Sequence, residues 1–516
     1  MSNRSTDALF QLIKSLEKSE KRNFKLFVKR NSATEDMKTI QLFDAMDSIT
    51  EYDEKLILKK ARNITKLQLS NLKAYLYKQI LSSLRLIRED ENIDLQLHEQ
   101  MDHARILFNK GLYLQTLKVL EKLKETARSY QQLTYLQQAL FFEKKIEALY
   151  ITRSMQNRAE QLSDESNKVS AELNKVNELS NLSLQLYSWY IQNGHARNEK
   201  DIKELKKHFG DHIPASANEL HNFYEKLYYY QSMCWYAFIR QDFLQYYRYA
   251  QKWVDLFDQH PGMLQTETAI YIKGMHNLMS AYFDLVNHEK LANAIKKFER
   301  FTANKLVLQN DNNRLLAYQY LYTAKINLYF LKGTFSKGLL MVPFLEKMLK
   351  EYALYLDTHR VLVFYYKIAC LYFGSGDNSS AIDYLNRIIN QKSDLRTDLQ
   401  CYARLLNLIA HYELGNFDLL EYLIKSVYRY MAKMENLSKV EEEMFAFLRK
   451  SFHVGAHALR PEFEKLHDKL KQYEGNALES RAFVYLDVIS WLESKISGVN
   501  VQDVIREKFL EGKRGK

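Results

Sequence analysis

Proline is nearly missing from this sequence: there are four in 516 residues, beside fifteen glycines and three cysteines. The usual shares of the first two are about 5% and about 7%. So few breakers exclude a fold of many short strands joined by tight turns, and they favour long helices. Cys234, Cys370 and Cys401 lie far apart, each within an apolar helical pattern, which excludes a disulfide framework and reads as buried structural thiols in a reducing compartment. No uncharged apolar run approaches the ~20 residues of a membrane helix. The nearest, Val361 to Gly376, is interrupted by Lys367. The first residues, M-S-N-R-S-T-D, lack the apolar stretch of a signal peptide. The expectation is a cytoplasmic chain without membrane insertion.

What is abundant is helical pattern and aromatic bulk, with 36 tyrosines, 27 phenylalanines and 46% apolar residues. That is enough apolar material for a substantial core, and it argues against global disorder. The net charge of +11 permits nucleic-acid or acidic-protein partners without requiring them. The pattern is clearest from Val363 to Gln391. Tyr365, Ile368, Ala369 and Tyr372 fall at i, i+3, i+4, i+7, one face of a helix. Gly374 and Gly376 can close it, and Asp377 to Ser380 offer capping oxygens to a second helix. Ala381, Leu385 and Ile388 give that second helix its own apolar face. Two short antiparallel helices cannot bury both faces alone, so neighbours must stack on them.

This stretch resembles a tetratricopeptide repeat. Ala369, Tyr372, Ala381, Leu385 and Ile388 stand at the family's small or apolar positions, and Gly376 stands at its turn. Asn378 replaces the usual turn aromatic, and Ser393 the usual terminal proline. Similar turns are expected near Gly111, Arg153, Gly194, Gln241, Asn287, Gly333, Gly376, Gly415 and Gly455, at intervals of about 39 to 47 residues against ~34 in a regular repeat. Pro214 and Pro261 fall between units, Pro461 suits the first turn of a helix, and Pro343 predicts a kink inside one.

The expected fold is therefore all-α: an α-solenoid of antiparallel helix pairs over residues 98–497. An N-terminal helical bundle or cap (1–97) precedes it and a basic tail (498–516) follows, with fraying expected from Glu507 to Lys516. In the N-terminal region Ser5 and Ser19 are expected helix caps, and helices are expected over 37–49, 54–61 and 66–88.

Chemical motifs fail on spacing. Gly374-Ser-Gly376 lacks the third glycine, preceding strand and lysine of a phosphate loop. His98 and His103 are five apart and point to different faces of a helix. His453 and His457 have metal spacing, with Glu462 and His467 downstream, but Gly455 stands between them and no third ligand follows at fixed spacing. His208 and His212 flank Gly210 in the same way. No nucleophile signature is present. No enzyme activity, cofactor or metal is expected.

The resemblance implies a concave groove lined by first helices. It places there Tyr228, Gln231, Trp235 and Phe238, then Asn277 and Asp284, then Tyr320, Thr323, Asn327 and Phe330, then Tyr366 and Phe373, then Tyr402 and Tyr412. Asn327 stands where chaperone-binding members hold a peptide carboxylate, but Thr323 and Leu331 replace the expected lysines. The function implied is a protein- or peptide-binding scaffold. The alternative is a regulator whose basic stripe, Lys18, Lys21, Arg22, Lys25 and Lys29, contacts nucleic acid or an acidic partner while the array senses a ligand.

Overall fold

A computed structural model describes residues 7–30, 35–88, 92–149, 157–196, 198–210, 213–214, 217–352, 356, 358–391, 397–433, 439–451, 456–473 and 487–512. The expected turns at Arg153 and Gly455, together with Ser5, His212, His453 and Ser393, lie outside these residues, as does the side chain of His457. Among the described residues the chain is all-α, with no strand. It divides into two compact units, residues 1–170 and 171–516.

The first unit begins with α1 (Ala8–Ser15), α2 (Lys18–Arg30), α3 (Glu35–Asp47), α4 (Glu54–Lys60) and α5 (Lys66–Arg88). Their apolar stripes meet in one core built from Ile13, Phe24, Val28, Leu42, Phe43, Met46, Leu76 and Ile80. Asp7 caps α1 by accepting from Phe10 N at 3.1 Å, and Lys73 of α5 pairs with the same carboxylate. Ser19 is not a cap, because α2 starts one residue earlier; Glu20 instead reaches back to accept from Glu17 N at 2.9 Å.

Helices α6 (Ile93–Asn109), α7 (Tyr113–Ser129) and α8 (Leu133–Leu149) pack side by side in order. Left-handed residues at Gly111 and Gln131 make the two reversals. The second of these turns has no glycine and was not expected. Lys124, 1% exposed, sits between Glu143 and Glu121 at 2.7 and 2.8 Å, while Arg158 pairs with the other oxygen of Glu143. Burying this lysine is tolerable because its charge is compensated from two sides. The boundary between the two units falls within α9 (Arg158–Asn193).

In the second unit α10 (Glu199–Phe209) and a short 3-10 turn precede helices that pack on their neighbours in sequence. These are α11 (Phe223–Ile239), α12 (Phe243–Gln259), α13 (Met263–Thr266), α14 (Thr268–Asp284), α15 (His288–Thr302) and α16 (Lys305–Leu308). They continue as α17 (Asp311–Lys332), α18 (Phe335–Leu339), α19 (Val342–Glu351), α20 (Thr358–Ser375), α21 (Asn378–Ile389), α22 (Thr397–Glu413) and α23 (Phe417–Lys433). The last are α24 (Lys439–Ser451), α25 (Ala456–Lys471), α26 (Val488–Ser497) and α27 (Val501–Leu510).

Backbone in the left-handed region closes the expected turns at Gly194, Gln241, Gly333, Gly376 and Gly415; near Asn287 the residue that takes it is Val286. Asp377 caps α21, accepting from Ser380 N at 3.0 Å. Besides these sequential contacts, α14 packs on α17, α17 on α20, and α20 on α22.

Two proline expectations are corrected. Pro343 does not kink a helix; the second helix of that unit is split into α18 and α19, and the proline stands in the first turn of α19, where its missing N–H costs nothing. Pro461 is not in a first turn, because α25 begins at Ala456 and carries it further inside. α27 continues to Leu510, into the segment expected to fray from Glu507, and it packs on α17 and α20. Gln502 Oε1 accepts from Ser336 N at 2.8 Å, and the Arg506 guanidinium donates to Lys332 O at 3.4 Å.

Candidate functional site

Three helices of the second unit, α14, α17 and α20, turn one face each toward a cavity of about 230 Å³. Ser280, Phe283 and Asp284 come from α14, Thr323, Asn327 and Phe330 from α17, and Val363, Tyr366, Lys367 and Cys370 from α20. Each set follows a three-and-four spacing, so a regular helix suffices to converge them. Tyr190, Phe238 and Leu399 supply further apolar wall.

The polar groups here are constrained. Lys367 Nζ donates to Asn327 Oδ1 at 2.5 Å and sits 5.6 and 5.9 Å from the centres of the Phe330 and Phe283 rings. Burial brings its pKa down to about 8. Burial pushes Asp284 up to about 7, with Lys367 pulling it back. His276 stacks on Tyr320 at 4.0 Å between ring centres. Burial, then Lys273, Lys367 and Arg360, hold its imidazole down at about 3, so it is neutral. Burial also raises the Cys370 thiol to about 12, which leaves essentially no thiolate at neutral pH. A neutral histidine and a protonated thiol suit binding better than nucleophilic attack. No group of three metal-ligating side chains occurs among the described residues.

Of the residues expected in a groove, Asp284, Thr323, Asn327 and Tyr366 line this cavity with Phe238 and Phe330. Tyr320 lies beside it through its stack on His276. Trp235 stands next to Tyr187 and Tyr190, with Lys273 Nζ 5.6 Å above its ring. The other expected residues do not line the cavity. Asn277 is buried, accepting from the Tyr246 hydroxyl at 2.9 Å and donating to Lys273 O. Gln231 is buried, with its side-chain oxygen toward Ser183 Oγ at 3.3 Å, and Tyr228 packs among Leu179, Leu220 and Tyr229. Tyr402, Tyr412 and Phe373 belong to the large core of the second unit, where long neighbouring helices cover them.

In the first unit the basic stripe is partly neutralised. Lys21 pairs with Asp47 and Lys25 with Asp44, each at 2.6 Å, whereas Lys18, Arg22 and Lys29 stay exposed along α2.

Sequence reasoning missed Lys273, His276, Arg360 and Lys367. Lys367 carries the readable signal: a cation midway along an otherwise apolar helix needs a polar surrounding. No protein-family model matches the chain, and comparison with curated proteins gives no match.

Proposed function

We propose that the chain is a non-enzymatic helical-repeat scaffold of tetratricopeptide-like design that binds a protein or peptide segment in the cavity between α14, α17 and α20. The observation that carries this reading is the convergence of Thr323, Asn327, Asp284 and Lys367 from three successive helices onto one aromatic-walled cavity. A folded core does not need such groups there, and extended peptides need both backbone partners and apolar contact. The repeated helix–turn–helix layout, with left-handed turn residues from Gly194 to Gly415, supports the stacked-array part of the reading. The three free cysteines support a reducing, cytoplasmic setting. The nucleic-acid alternative is weakened, because two of its five cations are spent on Asp44 and Asp47.

The test is a selection from a displayed library of random twelve-residue peptides against the full chain and against Thr323→Trp, which fills the cavity from a half-buried position. The reading expects enriched peptides on the wild type and their loss on the variant. Absence of enrichment, or enrichment that the variant retains, overturns it.

A further inference from the structure

Lys367 of α20 and Asp284 of α14 face the same cavity, each half-buried, and do not pair with each other. A lysine ammonium has three N–H donors, and Asn327 Oδ1 takes one of them at 2.5 Å. Asp284 has no hydrogen-bonded partner among the described residues, and neither have the hydroxyls of Ser280 and Thr323, which share the lining. The cavity thus presents one acid, one base and two hydroxyls with bonding capacity to spare. The rest of its wall is largely apolar, with Phe238, Phe283, Phe330, Val363 and Leu399.

Charge and size together narrow what fits. A simple acid satisfies Lys367 but meets Asp284, and a simple base satisfies Asp284 but meets Lys367. Burial disfavours the charged form of both groups, so leaving either one uncompensated is costly. A ligand that carries both charges compensates both at once. The volume of about 230 Å³ is below the roughly 300–1,000 Å³ of drug-sized pockets, so the occupant is about one residue in size. A free α-amino acid brings an ammonium and a carboxylate within one residue. An interior residue of a peptide has given up both to amide bonds.

We propose that this cavity binds one free α-amino acid with an apolar side chain, its ammonium at Asp284 and its carboxylate at Lys367. The hydroxyls of Ser280 and Thr323 complete the hydrogen bonding of the two charged groups, and the apolar wall takes the side chain. Both contacts are charge-assisted, and the rings around them lower the local dielectric, which strengthens each. Selectivity follows from the pairing, because a ligand lacking one charge leaves its protein partner unpaired in a half-buried site. The inference shares its cavity with the peptide-binding reading but does not require a peptide to enter. An amino acid and an inserted peptide exclude each other there, so the first would regulate the second.

The test is isothermal titration calorimetry on the full chain with L-leucine and L-phenylalanine and with analogues that each lack one charge. Isocaproate and hydrocinnamate lack only the ammonium; isoamylamine and phenethylamine lack only the carboxylate. At least one of the two amino acids should bind at one site per chain. Both of its truncated analogues should bind at least about tenfold more weakly, as the loss of one charge-assisted contact implies. Asp284→Asn and Thr323→Trp should each weaken the amino acid by a similar factor while keeping the helical circular-dichroism spectrum. Failure of both amino acids to bind, an analogue that binds as well as its parent, or indifference to Asp284→Asn each overturns the proposal. The comparison of parent and analogues uses the wild-type chain alone, so it decides the matter even if a variant misfolds. Amino acids that fail to bind, beside a library that still enriches peptides rejected by Thr323→Trp, remove this inference and leave the scaffold reading standing. Amino-acid binding beside a library that enriches nothing does the reverse.

Discussion

Lys367 and Asp284 line the same cavity without forming an ion pair; the ammonium is held by Asn327 at 2.5 Å, and the carboxylate has no hydrogen-bonded partner among the described residues. Both charged forms are disfavoured by burial, and their pKa values approach each other, about 8 for Lys367 and about 7 for Asp284. The pH dependence follows by linkage. A carboxylate raised from 3.8 binds more protons folded than unfolded between pH 4 and 7, so stability falls across that window. A lysine lowered from 10.5 binds fewer protons folded between pH 8 and 10.5, so stability rises there. The pair therefore contributes a trough between pH 7 and 8. Asp284→Asn should be more stable than wild type at pH 7.5 and gain little at pH 4, as read from urea midpoints. An equal gain at both pH values contradicts this.

Gly333 has φ of +59°, and a Cβ there would stand 2.5 Å from the backbone N of Arg506 in α27. Gly376 has φ of +93° with nothing within 4 Å. Alanine at 376 meets only backbone strain, about 1 kcal/mol. Alanine at 333 must also push α27 away, and it should cost at least about 3 kcal/mol in chemical denaturation. Equal costs would mean that α27 does not seat on this turn.

Glu143 faces Lys124 at 2.7 Å and also pairs with Arg158. Glu143→Ala leaves a buried ammonium with only Glu121, and should cost about 3 kcal/mol, less when combined with Lys124→Met. A double-mutant cycle checks it; strict additivity would refute the coupling.

Tyr412 is enclosed by Phe417, Phe447, Phe463 and Trp491, with ring centres 5.9 to 6.3 Å away. Tyr412→Phe should leave peptide binding unchanged, and Tyr412→Ala should cost about 3–5 kcal/mol of stability. A binding defect in the phenylalanine variant would return this residue to the groove.

The element pattern was legible because apolar spacing and turn glycines report it directly: Gly111, Gly333, Gly376 and Gly415 mark reversals that the structure contains. Gln131 was not legible: its turn carries no glycine and falls outside the 39-to-47-residue spacing that located the other glutamine turn, Gln241. The family positions nominated Thr323, Asn327, Asp284 and Tyr366, which line the cavity, and equally Tyr402 and Tyr412, which lie in the core. A tyrosine on a helix face reads the same whether the next helix covers it or leaves it open. Lys367 was missed because Asn327, Phe283 and Phe330, which surround its ammonium, come from other helices, and only the folded chain brings them together.

The most direct measurement is hydrogen–deuterium exchange of the full chain with and without the best-retained peptide of the library selection. Protection confined to residues 268–284, 311–332 and 358–375, the helices that build the cavity, is the predicted result. Protection along α2 at residues 18–30 with none in those three helices would contradict the account.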